Sequence, residues 1–391
     1  MSKYNFDALT DRSGTHSLKW DVKKNELPMW VADMDFAVCP KIINAVSDRL
    51  SKPALGYNII PDEWYDAYIN WWKSRHNLTM ERDALIFSIG VVPSLSSIVR
   101  RLTRPAENVL IQTPVYNIFY NSIANNGRNI LANPLKYENG EYSVDFDDFE
   151  KKVANPQTTL FILCNPQNPV GKIWDKTTLK KMGELCAKYG VTVVSDEIHC
   201  DITAPGKSYV PFASVSDVCK NNSITCIAPT KAFNIAGLAT SAVYIPNKAL
   251  RHAVWRGLNN DEIAEPNSFA VPAAVAAFNK GGDWLDEMNE YVYNNRKLVK
   301  EFLTEKVPTV KLVDGDATYL LWVDCSAVTD DTEKLCDFIR ARNGLYITNG
   351  GEYGDNGKSF VRINVACPRA RLIDGLNRFK DGVEAFLAKS K

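Results

Sequence analysis

Residues 159–171 read Thr159-Leu-Phe-Ile-Leu-Cys-Asn-Pro-Gln-Asn-Pro-Val-Gly171. The first six, Thr159–Cys164, are apolar on both faces, the pattern of a strand covered by helices on each side of a sheet. The loop that follows carries two prolines and a glycine, and its X–Pro constraints hold the Asn168 side chain in one place. In open α/β sheets ligands sit beyond the carboxyl ends of the strands. A buried strand running straight into such a loop therefore marks both the fold class and the edge where chemistry is to be sought.

Similar runs lie on either side. Val109–Gln112, Val191–Ser195, Ile224–Ala228 and Ala242–Ile245 predict further strands, alternating with helical patterns as parallel α/β sheets do. Pro61 followed by Asp62 and Glu63 suits a helix N-terminus. Trp64, Tyr65, Tyr68, Ile69 and Trp72 then recur at helical spacing and predict one buried aromatic face. A helix from about Thr177 to Tyr189 stops at Gly190. Beyond about Gly281 the texture changes to a long charged helix (Trp284 to Lys306), a strand at Thr318–Val323, a helix at Thr332–Asn343 and a segment at Ser359–Asn364. The expectation is a large domain over 45–280 and a smaller α+β domain built from 1–44 and 281–391.

The bulk properties narrow the function. The 391 residues hold 46 basic and 46 acidic side chains, and 45% are hydrophobic. A zero net charge argues against nucleic-acid or membrane-surface binding through bulk charge. No apolar run approaches the roughly 18 residues needed to span a bilayer, and the N-terminus does not read as a signal peptide. Nine scattered cysteines without a framework suggest reduced thiols and a cytoplasmic protein. None of the four histidines pairs with another at metal-ligand spacing, so no metal centre is expected.

The unusual residues collect at the predicted strand ends. Asp196 and Glu197 end one strand, and Pro229, Thr230 and Lys231 follow another. Ser88-Ile-Gly90-Val-Val-Pro-Ser94 precedes a helix beginning near Pro93. Singly these are ordinary turn and capping residues; together they match the needs of pyridoxal 5′-phosphate (PLP). That cofactor takes a primary amine (Lys231), a carboxylate against its ring nitrogen (Asp196), and a donor to its phenolate oxygen (Asn168). It also takes a backbone-and-hydroxyl phosphate cradle, here Gly90, Val91 and Val92 with Thr230. Tyr116, after another strand, is placed to stack on the ring and joins Lys231 and Asp196 as a catalytic candidate.

The chain resembles fold-type I PLP enzymes, and within them the MalY/PatB group of cystathionine β-lyases. The resemblance rests on Pro28-Met-Trp-Val-Ala-Asp-Met-Asp-Phe36, Gly56-Tyr57, Ile89-Gly-Val-Val-Pro-Ser94, Gln112-Thr-Pro-Val-Tyr116 and the loop quoted first. It extends through Ser195-Asp-Glu-Ile-His199, Ala228-Pro-Thr-Lys-Ala-Phe-Asn-Ile-Ala-Gly237 and Val361-Arg-Ile-Asn-Val-Ala-Cys-Pro-Arg369. It implies a mainly parallel seven-stranded sheet, with Lys231 as the Schiff-base lysine and Arg362 clamping a substrate α-carboxylate beside Asn168. Tyr57 would reach the phosphate of the neighbouring subunit in a homodimer with shared sites. Ala32, Asp33 and Trp30 are expected to wall the substrate. His199 stands where many aminotransferases of this fold have a tyrosine, and Ala239 where they carry a phosphate-binding arginine; both favour the lyase group. Ala232 stands where that group commonly has threonine, Gln167 where histidine is common in the NPHNP form of the loop, and Asn117 where one member of the group has a second tyrosine.

The implied reaction is β-elimination from an L-cysteine derivative, with Lys231 as the base at Cα, giving a thiol, pyruvate and ammonia. The alternative is a PLP-dependent aminotransferase, which shares the same carbanion. A regulatory role through a protein partner is a third reading.

Overall fold

The computed structural model describes residues 3–389. Seven strands form the main sheet in the order Leu85–Ser88, Ser241–Tyr244, Ser223–Ile227, Thr192–Asp196, Thr158–Cys164, Asn108–Thr113, Asn129–Pro134. Ser241–Tyr244 is antiparallel to both of its neighbours, and the other pairings are parallel. The carboxyl ends of Thr158–Cys164, Thr192–Asp196 and Ser223–Ile227 therefore open on one edge.

The five expected strands lie within a residue of their predicted positions. The sequence reading omits two strands. Leu85–Ser88 is only four residues long, and Asn129–Pro134 is a half-exposed edge strand ending in proline. The helix expected near Pro93 begins at Val91, because Pro93 is tolerated inside a first turn, where its missing N–H has no acceptor to lose.

Helix boundaries follow local chemistry. Asp175 caps Lys176–Lys188 by accepting from the Thr178 amide at 2.9 Å, and Asp331 does the same for Thr332–Asn343. Asp62–His76 carries acids in its first turn and bases in its last, and Asn77 ends it in the left-handed region. Trp64, Tyr68 and Trp72 lie one turn apart on its buried stripe and pack against Phe278 and Phe87. Tyr65 and Ile69 are only half buried, and Trp71 takes the remaining core position, against Phe233 and Phe278. Each such fully buried ring contributes about 1.5–3 kcal/mol over leaving it exposed.

A second, four-stranded sheet has the order Lys311–Leu312, Leu320–Asp324, Phe360–Asn364, Thr348–Asn349. The predicted strand at Thr318 starts later because Thr318 adopts φ +67° and donates its amide to the Ile202 carbonyl. Leu27–Pro28 pairs in parallel with Leu345–Tyr346, which stitches the beginning of the chain to its last third. All nine cysteines are buried and unpaired. Among the described residues no helix is long and apolar enough to cross a membrane.

Candidate active site

Residues 30–36 cross the carboxyl edge of the main sheet as a strap with most of its backbone polar groups engaged. The Trp30 carbonyl accepts from Arg362 Nη2 at 2.8 Å. Those of Val31 and Asp33 both accept from Asn364 Nδ2 at 2.6 Å. The Ala32 carbonyl accepts from Lys231 Nζ at 2.6 Å and from the Tyr319 hydroxyl at 3.0 Å. Asn234, at φ +57°, binds the Met34 amide through Oδ1 and the Met34 and Phe36 carbonyls through Nδ2. A buried polar backbone group costs free energy unless paired, and the asparagines of Lys231-Ala-Phe-Asn234 and Arg362-Ile-Asn364 meet that need.

Lys231 leaves the strand Ser223–Ile227 and is pushed down to about 8 by burial, with Arg362 adding to the effect and Asp33 and Asp196 opposing it. Asp196 is the last residue of its strand and is buried. Its Oδ1 accepts from the Ile198 amide at 3.1 Å. Burial drives it up to about 7, helped by Glu197 and resisted by the Ile198 amide and Lys231. The neighbouring acid behaves differently. Glu197 accepts from the Ser195 hydroxyl, the Tyr209 hydroxyl and the Phe212 amide at 2.7, 2.6 and 2.9 Å. One strand end thus carries an acid spent on structure and another close enough to Lys231 to interact with its charge.

Asn168 Oδ1 faces Arg362 Nη1 at 3.4 Å, and the Asn168 amide donates to Cys164 Sγ. Both X–Pro bonds of the loop are cis. Gln167 is buried and donates to the Gln112 and Pro114 carbonyls, which ties the loop to the turn that carries Tyr116. Tyr116 is half buried, meets Phe119 edge-on, and is close enough to Arg362 and Asp196 to feel both charges. Arg362 lies 4.8 Å over the Tyr353 ring. His199 is buried edge-on to Tyr319 and is pushed down to about 3 by burial, with Lys231 and Arg362 adding to it. Its imidazole is therefore neutral.

Gly90 is the N-cap of Val91–Leu102, so the Gly90, Val91 and Val92 segment forms a helix N-terminus whose first amides lack intrahelical acceptors. Thr230 is buried beside Lys231. Asp33 gives its carboxylate to Arg12 at 2.9 Å, with Lys19 nearby, so the strap's acid is held by the N-terminal segment. Tyr57 stands apart from the site, fully exposed at 101% in a loop with Leu55 and Ile59.

Sequence reading missed Tyr319 altogether, since nothing in its surroundings marks it. It also missed the structural duty of Asn234 and Asn364, although both lie in motifs quoted above. Sequence spacing does not unite His76 with Cys200 and Asp201, yet the fold brings their ligand-type atoms within 4.8 Å of one another. His76 Nε2 and Trp71 Nε1 both meet Asp201 Oδ1 there, at 2.8 and 3.0 Å.

The residues fit PLP. Arg362 Nε and His199 Nδ1 are buried with no hydrogen-bond partner among the described residues, a costly state that a bound anion or ring oxygen relieves. A buried carboxylate raised to about 7 calls for a cation, and a ring N–H⁺ is one. Such an array, a part-buried lysine and a buried carboxylate at the edge of a mainly parallel sheet with a helix N-terminus at Gly90, is that of a fold-type I PLP enzyme.

The chain belongs to the class I and II aminotransferase family, whose model matches residues 26–379. It is 43% identical over 383 residues to cystathionine β-lyase PatB of Bacillus subtilis (strain 168), covering 96% of this chain and 99% of that protein. Among solved structures it is similar to cystalysin from Treponema denticola, which contains PLP, with TM-score 0.94 and 30% identity over 98% of this chain and 99% of that one. It is also similar to the PLP-bound C–S lyase from Staphylococcus hominis complexed with L-cycloserine. There the TM-score is 0.92 and the identity 34%, over 97% and 98% of the two chains.

Proposed function

We propose that this chain is a PLP-dependent carbon–sulfur β-lyase that cleaves L-cystathionine or related L-cysteine S-conjugates. The observation that carries the reading is the convergence of Lys231, Asp196, Asn168 and Arg362 on one sheet edge, in a chain 43% identical to a cystathionine β-lyase along nearly its whole length.

PLP supplies an electron sink that stabilises negative charge at the substrate Cα. Asp196 would face the ring nitrogen and keep it protonated. Asn168 and the neutral His199 would border the ring's phenolate side, and Tyr116 its face. Gly90, Val91, Val92 and Thr230 would receive the phosphate. Arg362 binds the substrate α-carboxylate through its planar fork, for which the unpartnered Nε is already oriented by the Nη2–Trp30 bond. Lys231, its amine lowered to about 8, accepts the Cα proton; the Ala32 carbonyl, itself fixed by the Tyr319 hydroxyl, holds it on that side. The Cα–H electron pair becomes the second, π bond between Cα and Cβ, and the thiolate leaves Cβ with the former C–S pair. One water is consumed overall, and the products are thiol, pyruvate and ammonia.

The test is incubation of the PLP-loaded protein with L-cystathionine and no keto acid. Pyruvate and free thiol in equal amounts support the lyase. Absence of pyruvate, with amino-group transfer once a keto acid is added, replaces it with an aminotransferase.

Three further readings belong with this proposal. We take 45–280 as the PLP-binding domain and 1–44 with 281–391 as the smaller one. We take the working unit as a homodimer in which Tyr57 serves the partner's phosphate site, because a fully exposed tyrosine flanked by two exposed aliphatics is otherwise costly to present to water. We place the protein in the cytoplasm, where nine unpaired thiols persist.

A further inference from the structure

The mouth of the site carries an acid that the chemistry above does not use. Glu352 follows the strand Thr348–Asn349, whose Thr348 is paired with Arg362 in the small sheet. Its neighbour Tyr353 lies under the Arg362 guanidinium, and the Glu352 carboxylate is close enough to Arg362 to feel that charge. Both of its oxygens are held by neutral amides. Oε2 accepts from Asn117 Nδ2 at 3.2 Å and Oε1 from Asn349 Nδ2 at 3.3 Å. Asn117 follows the ring-covering Tyr116.

This turn is also anchored. The Tyr353 carbonyl accepts from the Val115 amide at 2.9 Å and from the Tyr120 hydroxyl at 3.1 Å. The exposed carboxylate is therefore held beside Asn117, the residue after Tyr116, and next in sequence to the Tyr353 that underlies Arg362, with its charge uncancelled by the groups that hold it. Neutral donors orient a carboxylate while leaving it free to meet a cation.

We infer that Glu352, oriented by Asn117 and Asn349, is a specificity-determining residue that selects L-cysteine S-conjugates whose distal end bears a cation, such as the distal ammonium of L-cystathionine. The inference rests on the lyase reading. A substrate then lies between two opposite charges, with its α-carboxylate on Arg362 and its far ammonium on Glu352. Conjugates ending in a carboxylate alone are disfavoured by like-charge repulsion.

Glu352→Gln keeps the shape and removes the charge. With PLP-loaded protein, the ratio of kcat/KM for S-(2-aminoethyl)-L-cysteine to that for S-(2-carboxyethyl)-L-cysteine is expected to fall about tenfold, as for a partly exposed ion pair lost on one side and a repulsion relieved on the other. The change lies in KM rather than kcat. A second readout needs no turnover. L-Lysine and L-2-aminoadipate have no leaving group on Cβ, and their dissociation constants follow from absorbance titration of the bound cofactor. Wild type binds lysine more tightly relative to aminoadipate than Glu352→Gln does, and 0.5 M salt narrows that gap. Equal ratios in the two proteins, by either readout, overturn the assignment. If neither conjugate nor L-cystathionine yields pyruvate in wild type, the lyase reading fails, while the absorbance titration still decides the role of Glu352.

Discussion

The amine of Lys231 donates to the carbonyl of Ala32 at 2.6 Å, across 199 positions of chain. The bond joins the lysine that follows a central strand of the large sheet to a strap that enters from the N-terminus. It places the lysine nitrogen beneath a wall of backbone, and the same carbonyl is shared with Tyr319.

The lysine's nitrogen is pushed down to about 8 by burial and by Arg362. A lowered value means that the amine is neutral, and so nucleophilic, above that pH. Uptake of PLP by the apoprotein, followed by stopped-flow absorbance, is expected to accelerate as pH rises through about 8. Lys231→Ala is expected to lack the band near ~420 nm that borohydride removes, and to lose about 10²–10⁴-fold in turnover, the range for removal of a general base. A variant that retained the band and the rate would place the cofactor elsewhere.

Asp196 titrates in the opposite sense. Its carboxyl rises from the ordinary 3.8 to about 7 on folding, so between those values the folded apoprotein binds the extra proton. Stability contributed by this group is present below that window, falls as pH rises through it and stays lower above it. Asp196→Asn removes the effect. The apo variant is expected to melt above the wild-type apoprotein at pH 8, with the difference vanishing towards pH 4. Added PLP reverses the order, because only the carboxylate pairs with the ring nitrogen. Thermal melts of the four samples check this.

Replacing Arg362 by lysine keeps the charge and loses the fork. The buried pairing of Nη2 with Trp30 and the Asn168 contact go with it. Hydrogen bonds to charged groups are worth about 1.5–3 kcal/mol, so KM is expected to rise roughly ten- to hundredfold. Steady-state pyruvate release measures it. An unchanged KM would remove Arg362 from the substrate.

Asn234→Ala strands the Met34 amide and the Met34 and Phe36 carbonyls beneath the strap. The expected loss is about 1–3 kcal/mol of stability for each buried group left unpaired and unreached by water, read from urea denaturation of the apoprotein. Turnover should also fall, as residues 30–36 loosen over Lys231. Wild-type stability in the variant would mean that other groups hold the strap.

Shared sites make a genetic prediction. If Tyr57 serves the partner's cofactor, then Tyr57→Ala and Lys231→Ala proteins, unfolded together and refolded, form mixed dimers with one intact site. The activity of the mixture is expected to exceed the sum of the separately refolded parents. No gain would leave each site within a single chain.

The sequence by itself determined the class of fold and the cofactor edge. Short runs apolar on both faces, rich in β-branched residues and bounded by turn signals, read as buried strands, and the odd residues at their ends, Asn168, Asp196 and Lys231, are few and fixed by local chemistry. What it left open had no local signal. The edge strand Asn129–Pro134 is half exposed and so lacks an apolar run, and Tyr319 looks like any core tyrosine. Asp196 and Glu197 are adjacent and chemically alike, yet only the surroundings decide that Glu197 is consumed by Ser195, Tyr209 and the Phe212 amide. The tertiary structure alone decided which carbonyl meets Lys231, that Asp33 belongs to Arg12, and that Glu352 stands beside Asn117. Those are contacts between residues far apart in the chain, set by how layers pack, and no periodicity or spacing encodes them.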